Sequence, residues 1–116
     1  SLKVSAPFHC PLMSKASINL VKDINNLNFS KPTNKIVSNV TAKEILDVNE
    51  LPNLLLKQIE SRVRWRESIN FMINNKVEHF LEIGPGKILT NLVKRINKNI
   101  KVSAFNSDED IKYFKI

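Results

Sequence analysis

The chain has little of what builds covalent cross-links or metal sites. Its 116 residues include one cysteine, Cys10, and two histidines, His9 and His79. A single cysteine cannot form an internal disulfide, and no group of Cys and His residues has the spacing of a zinc site. The sequence therefore predicts neither a metal site nor a cofactor.

Glycine is also scarce, and the two glycines, Gly84 and Gly86, lie in one predicted turn. Because glycine takes a positive φ more easily than any other residue, we expect few left-handed turns. The segment Gly84-Pro85-Gly86-Lys87 precedes a helical pattern, and the N–H groups of a helix N-terminus attract anions. It lacks the glycine spacing and the Lys-Ser/Thr pair of a phosphate-binding loop, so a purely structural turn is the favoured interpretation.

Long apolar runs are missing as well. No segment approaches the roughly 20 consecutive apolar residues of a transmembrane helix. Residues 1–4 do not have the anatomy of a signal peptide. With 42% hydrophobic and 25% charged residues, the composition is that of a globular protein. We expect a cytoplasmic protein of one domain, or part of one, that binds no membrane.

The net charge of +7 raises the question of nucleic-acid binding. The lysines and arginines are scattered, with no long basic run and no interleaved aromatic residues of the kind that recognition modules use. The sequence therefore argues against a nucleic-acid partner. A basic surface would still steer an acidic partner toward the protein.

Apolar spacing predicts strands that alternate with helices. Steps of three and four residues indicate helices at 12–27, 50–61, 65–75 and 88–96, followed by a short last helix capped by Ser107. Alternating and β-branched residues indicate strands at 2–5, 35–40, 77–83 and 101–105. This order predicts the α/β class, with a mainly parallel sheet flanked by helices on both faces.

His9 lies between Pro7 and Pro11, each of which fixes its own φ and disfavours helix in the residue before it. We therefore expect a short, stiff, extended segment that can aim the imidazole. Two interpretations stay open, a general base and a turn residue without chemistry. Cys10 is a poor partner for His9, because neighbouring side chains in an extended segment point to opposite faces.

Two polar residues can support a site built on His9. Gln58 lies near the end of a predicted helix, where a backbone carbonyl without a helical partner can hold an imidazole N–H. Asn39 lies at the end of a predicted strand. Read without context, Gln58 is an ordinary exposed helix residue and Asn39 a turn former. His79 is flanked by charges at a strand edge, so we expect it to be solvated and to have no catalytic role.

Four segments, taken together, resemble a known family. They are Val4 to Met13 around His9, Val37-Ser38-Asn39-Val40, Gln58 with Val63 to Ile69, and Glu82 to Leu89. In this order and at these intervals they resemble the C-terminal part of the malonyl-CoA:acyl carrier protein transacylases of bacterial type II fatty-acid synthesis. The resemblance covers essentially the whole chain, 1–116.

The resemblance implies part of an α/β-hydrolase-like acyltransferase fold, in which residues 1–5 are the exit from a ferredoxin-like subdomain. It implies that a serine attacks the thioester of malonyl-CoA and that His9 matches the histidine that takes its proton. The malonyl group then passes to the phosphopantetheine thiol of acyl carrier protein. Gln58 and Asn39 match residues that support this histidine. Phe8 matches a residue that limits room for a methyl branch in the substrate pocket.

The chain also departs from the family. It has no Gly-x-Ser-x-Gly nucleophile elbow, no oxyanion loop and no arginine in the context that binds the malonate carboxylate. We expect these upstream of Ser1, in the remainder of the same enzyme, and expect the chain alone to be inactive. The alternative is a non-catalytic module that binds the carrier protein.

A cluster of cations follows the glycine turn. Lys87, Lys94 and Arg95 are hypothetical contacts for the acidic carrier protein or for the phosphates of CoA. The competing interpretation is that they are solvated charges on a helix.

Overall fold

The structure is a computed structural model that describes residues 7–112, apart from the side chain of Ile111. The chain divides into two compact units, Ser1–Ser68 and Ile69–Ile116. The strand predicted at 2–5, and with it the proposed exit from a ferredoxin-like subdomain, lies outside the described residues. Among residues 7–112, no helix has the length and apolar character needed to cross a bilayer.

The first unit is built on two helices that pack together. A 3-10 turn at Pro11–Met13 leads into α1, Ser14–Asn25, and another at Val48–Glu50 leads into α2, Leu51–Glu60. Proline in the first turn of α2 is compatible with a helix start, because its missing N–H would have no helical partner there. Both predicted helices are confirmed, although α1 ends two residues before the predicted boundary.

The strand predicted at 35–40 is wrong. Within the described residues this stretch forms only an isolated antiparallel bridge between Val37 and Glu44. The chain reverses at once, because the N–H of Ala42 donates to the carbonyl of Ser38 at 2.8 Å and Ala42 has a φ of 56°. Its β-branched residues are compatible with a strand, but a strand also needs a neighbour of matching length.

Helix α3 runs from Trp65 to Asn74, as predicted, and spans the boundary between the units. Ile69 on this helix is the most deeply buried large side chain among the described residues, with 1% of its surface exposed. Lys76 ends the helix in a left-handed conformation with a φ of 69°. The N–H of Lys76 donates to Ile73 and that of Val77 to Met72, which satisfies two of the last carbonyls.

The second unit contains a strand–helix–strand arrangement. Strand β1 is His79–Ile83, α4 is Ile88–Ile96, β2 is Lys101–Phe105 and the short α5 is Asp108–Lys112. The strands are parallel, with His79 opposite Lys101 and Ile83 opposite Phe105. Helix α4 contacts both strands and buries Val93. The predicted elements at 77–83, 88–96 and 101–105 are confirmed, and β1 begins two residues late.

The glycines are not alone in adopting a positive φ. Among residues 7–112, both glycines have a positive φ, and so do His9, Ala42 and Lys76. Histidine tolerates this conformation better than most residues do, and a turn or helix end can impose it on any residue. A count of glycines therefore underestimates such turns.

Candidate active site around His9

The segment around His9 is a tight turn and not the extended segment that the two prolines predicted. His9 has a φ of 58°, and the thiol of Cys10 donates to the carbonyl of Pro7 at 3.0 Å. Pro11 then begins the 3-10 turn before α1. The Cys10 thiol is thus bound to a backbone carbonyl, so it is not paired with the imidazole despite being its neighbour in sequence.

The imidazole of His9 is held by the end of α2. Its Nδ1 lies 2.9 Å from the carbonyl oxygen of Gln58. This oxygen is available because α2 ends at Glu60 and Ser61 is extended, with its N–H donating to Lys57. A helix that continued would have used the Gln58 carbonyl internally.

The carbonyl also determines which ring nitrogen carries the proton. A carbonyl oxygen can only accept, so Nδ1 of His9 must donate to Gln58. Nε2 is then the basic nitrogen of the neutral ring. Within residues 7–112 this nitrogen has no hydrogen-bond partner, and His9 is exposed. The side-chain nitrogen of Gln58 lies 3.3 Å from Nδ1, and because both nitrogens are donors in this tautomer the approach is not a second hydrogen bond.

Phe8 and Asn39 lie in the same unit, but neither bonds to the imidazole. Phe8 precedes His9 in the turn and has 59% of its surface exposed. The Asn39 side chain is exposed, and its backbone carbonyl accepts from the N–H of Arg64 at 3.0 Å. No hydrogen bond among the described residues joins Asn39 to His9 or Gln58. The structure therefore brings His9 and Gln58 together, whereas Phe8 and Asn39 lie in turns and make no hydrogen bond to the imidazole.

A second polar link joins α2 to α1, the helix that follows the His9 turn. The hydroxyl of Ser17 on α1 contacts the carboxylate of Glu60 on α2, and Ser17 has 6% of its surface exposed. No motif in the sequence predicts this pair. The helical period places Ser17 on the buried face of α1 with Met13 and Ile24, which was the available signal.

Known proteins resemble this chain in sequence and in structure. No protein-family model matches the chain. The malonyl CoA-acyl carrier protein transacylase of Salmonella typhimurium is 40% identical over 105 residues, which are 90% of this chain and 34% of the relative. The chain is homologous to the malonyl CoA-acyl carrier protein transacylases. It spans about a third of the length of the curated relatives it matches.

Solved structures of malonyl transacylases have the same fold over nearly the whole of this chain. An acyl carrier protein S-malonyltransferase from Vibrio cholerae superposes with a TM-score of 0.90 at 37% identity, over 98% of this chain and 37% of that one. A malonyl-transacylase in complex with its type II PKS acyl-carrier protein gives 0.88 at 34% identity, over 96% of this chain and 36% of that one. The predicted α/β class and the predicted resemblance are both confirmed.

The cations considered as partner contacts are spread along α4. Lys87 precedes the helix, whereas Lys94 and Arg95 lie in its last turn, about 10 Å further along the axis. The ammonium group of Lys94 donates to the carbonyls of Ile100, at 2.5 Å, and Lys98. Lys94 therefore stabilises the connection between α4 and β2. Lys87 and Arg95 are exposed.

The N-terminus of α4 is occupied by a carboxylate of the same chain. Glu82 accepts from the N–H groups of Leu89 at 3.0 Å and Thr90 at 2.8 Å. The N–H of Gly86 donates to the side chain of Asn106. The nearby Thr90 side chain and its backbone N–H, with a smaller contribution from the N–H of Leu89, hold the pKa of Glu82 below its ordinary value. These contacts support the structural-turn interpretation of the glycine segment.

His79 is half-buried rather than solvated, so that prediction is wrong. Its Nε2 lies 2.9 Å from the hydroxyl oxygen of Ser103 on the neighbouring strand. Partial burial, followed by the charge of Lys101 opposite it, lowers the pKa of His79. Residues 7–112 contain no group of three or more Cys, His, Asp or Glu side chains placed to hold a metal ion.

Proposed function

We propose that this chain is the C-terminal portion of an acyltransferase domain and supplies its general base, His9. The reaction is transfer of a malonyl group from malonyl-CoA to the phosphopantetheine thiol of an acidic acyl carrier protein. The remainder of the same enzyme supplies the nucleophilic serine. The names of the homologous proteins support the reaction class.

The chemistry assigned to His9 is a proton shuttle at Nε2. In the first half-reaction Nε2 takes the serine hydroxyl proton as the oxygen attacks the thioester, and the imidazolium returns it to the departing CoA thiolate. In the second, Nε2 takes the proton of the carrier thiol, which attacks the malonyl-serine ester. The imidazolium then protonates the departing serine oxygen, which restores the enzyme.

One observation carries this proposal, the 2.9 Å contact between Nδ1 of His9 and the carbonyl oxygen of Gln58. It fixes the tautomer that leaves Nε2 basic, and it holds the ring at the C-terminal end of α2. Gln58 acts through its backbone, and Asn39 is proposed as a further support for the histidine. Phe8, next to His9, is proposed to border the acyl pocket.

The proposal is tested by His9→Asn in the complete enzyme, with malonyl transfer to holo carrier protein as the readout. Asparagine tolerates a positive φ, so the turn is preserved while the base is lost. We expect activity to fall by about 100-fold or more, the scale of a lost general base. Gln58→Ala keeps the backbone carbonyl and should lower the transfer activity only a few-fold. His79→Gln is the matched control and should retain activity. Full activity of the His9→Asn enzyme would refute the assignment.

The alternative is a carrier-protein-binding module without chemistry. Its support is that no serine among residues 7–112 donates a hydrogen bond to His9. The complete gene product separates the two candidates when it is incubated with radiolabelled malonyl-CoA. A covalent malonyl-serine adduct establishes the enzyme, whereas carrier binding without an adduct establishes the module.

The carrier protein is proposed to contact Lys87 and Arg95. Lys94 is proposed to stabilise the connection between α4 and β2. Charge reversal of Lys87 or Arg95 should raise the KM for carrier protein and leave hydrolysis of malonyl-CoA unchanged. Lys98→Glu is the control on the same unit. If all three reversals behave alike, this surface is not the docking site.

A further inference from the structure

We propose that Ser17 and Glu60 form a positioning pair that sets the imidazole of His9 against the carbonyl of Gln58. This inference rests on the proposed function of His9 as the general base. Glu60 follows Gln58 by two residues in the last turn of α2, and Ser17 lies in the second turn of α1. Helix α2 thus makes two polar contacts with this part of the chain, one with the His9 turn through the imidazole and one with α1 through this pair.

The contact is directional and shielded. Ser17 has 6% of its surface exposed, so its hydroxyl is largely withdrawn from water. Its oxygen lies near the Ser14 carbonyl, at 2.9 Å, as well as the Glu60 carboxylate. One hydroxyl proton serves only one acceptor at a time, and the carboxylate is the stronger acceptor. Apolar contacts alone would leave α1 freer to rotate or slide on α2, because such contacts have little directionality.

The path from Ser17 to His9 is stiff. The 3-10 turn at Pro11–Met13 passes directly into α1, with the N–H of Met13 donating to Cys10 at 3.0 Å. A shift of α1 along α2 is therefore transmitted to the His9 turn. On the other side, Gln58 and Glu60 belong to one helical turn and move together. The distance from Nδ1 to the Gln58 carbonyl thus depends on the Ser17–Glu60 contact.

The surroundings explain why the pair is needed. Beside it lies an open groove of about 380 Å³ whose apolar walls include Ile18, Val21 and Leu56. Ile18 is 69% exposed and Val21 is 39% exposed, so the apolar packing between the helices is incomplete on this side. The hydroxyl–carboxylate contact at the edge of the groove supplies the orientation that this packing does not.

The test uses four variants of the complete enzyme, Ser17→Ala, Glu60→Leu, Glu60→Gln and the double variant Ser17→Ala/Glu60→Leu. Ser17→Ala and Glu60→Leu should each lower kcat for malonyl transfer about 10-fold, because small displacements of a catalytic group cost this much or more, with little change in KM. The double variant should lose no more than either single one, since both remove the same link. Glu60→Gln keeps an oxygen acceptor and should recover most of the activity. Asp23→Asn, at an exposed position of α1, is the control.

A spectroscopic readout separates positioning from general stability. In enzyme labelled with ¹⁵N-histidine, with the His9 signal assigned by its absence in His9→Asn, the population protonated at Nδ1 should fall in Ser17→Ala and Glu60→Leu and stay high in Glu60→Gln. Unchanged ring-nitrogen signals, or additive losses in the double variant, would overturn the positioning role. If the positioning role is overturned but His9→Asn is inactive, the proposed function of His9 still stands. An active His9→Asn enzyme would refute both the proposed function and the positioning role.

Discussion

Glu82 at the end of β1 and Thr90 in the first turn of α4 are joined by a hydrogen bond of 2.8 Å from the backbone N–H of Thr90 to the carboxylate. The same carboxylate accepts from Leu89. A strand therefore closes the N-terminus of the helix that follows it, and the negative charge faces the positive end of the helix dipole. An outside anion would have to displace this carboxylate.

This relationship predicts how Glu82 contributes to stability. Glu82→Ala should lower the melting temperature by about 5 °C, the scale of losing a helix cap in a small domain. Glu82→Gln keeps an acceptor without the charge, so its melting temperature should lie between those of the native protein and Glu82→Ala. Thermal unfolding followed by circular dichroism measures both, with exposed Glu78→Gln as the control.

The pH dependence of Glu82 follows from its lowered pKa. Because the folded state holds the proton less tightly than the unfolded chain, the contribution is complete above the ordinary glutamate value of about 4.3 and is lost as pH falls through the lowered value. The difference in melting temperature between the native protein and Glu82→Gln should therefore shrink in acid. A difference that stays constant from neutral pH to pH 3 would contradict this origin.

His79 predicts a second pH effect nearer neutrality. Its pKa is lowered by partial burial and by Lys101, so the unfolded chain binds the proton more tightly. Its contribution is complete above the ordinary histidine value of about 6.5 and is lost as pH falls through the lowered value. His79→Gln should flatten the melting temperature over this range. Lys101→Gln should raise the pKa of His79 in an NMR titration, and Lys98→Gln should leave it unchanged.

The left-handed residue that ends α3 offers a stabilising change. Lys76→Gly should raise the free energy of unfolding by about 0.5–1 kcal/mol, because glycine adopts a positive φ without the steric cost that a Cβ atom brings. Lys76→Ala keeps the Cβ atom and should show no such gain. Urea unfolding compares the two variants. Equal stability of the Gly and Ala variants would mean that the helix does not end in this conformation.

Arg64 predicts a local effect on the turn that carries Asn39. Its guanidinium donates to the carbonyl of Thr41 at 3.2 Å, and its backbone N–H donates to that of Asn39. Arg64→Met should remove the first contact and keep the second, so the turn should open more often. Trypsin should then cleave after Lys43 several-fold faster, because proteolysis follows the population of the open form. Arg66→Met, at an exposed position of α3, should not change the rate.

Local patterns were enough to predict most of the regular elements. Apolar residues recur at steps of three and four along α1, α2, α3 and α4, and this information lies within a dozen neighbouring residues. The parallel strands at 77–83 and 101–105 were likewise predictable from alternation around a helical segment. The strand expected at 35–40 failed because β-branched composition says nothing about whether a partner strand lies alongside.

The sequence by itself determined the helices, the strand–helix–strand order and a histidine placed between two prolines, since propensity and apolar period act over short distances. Only the tertiary structure decided which groups meet. The contacts of His9 with Gln58, Ser17 with Glu60 and His79 with Ser103 join residues 49, 43 and 24 positions apart. Such contacts depend on how the ends of packed elements come together, and no local pattern records that.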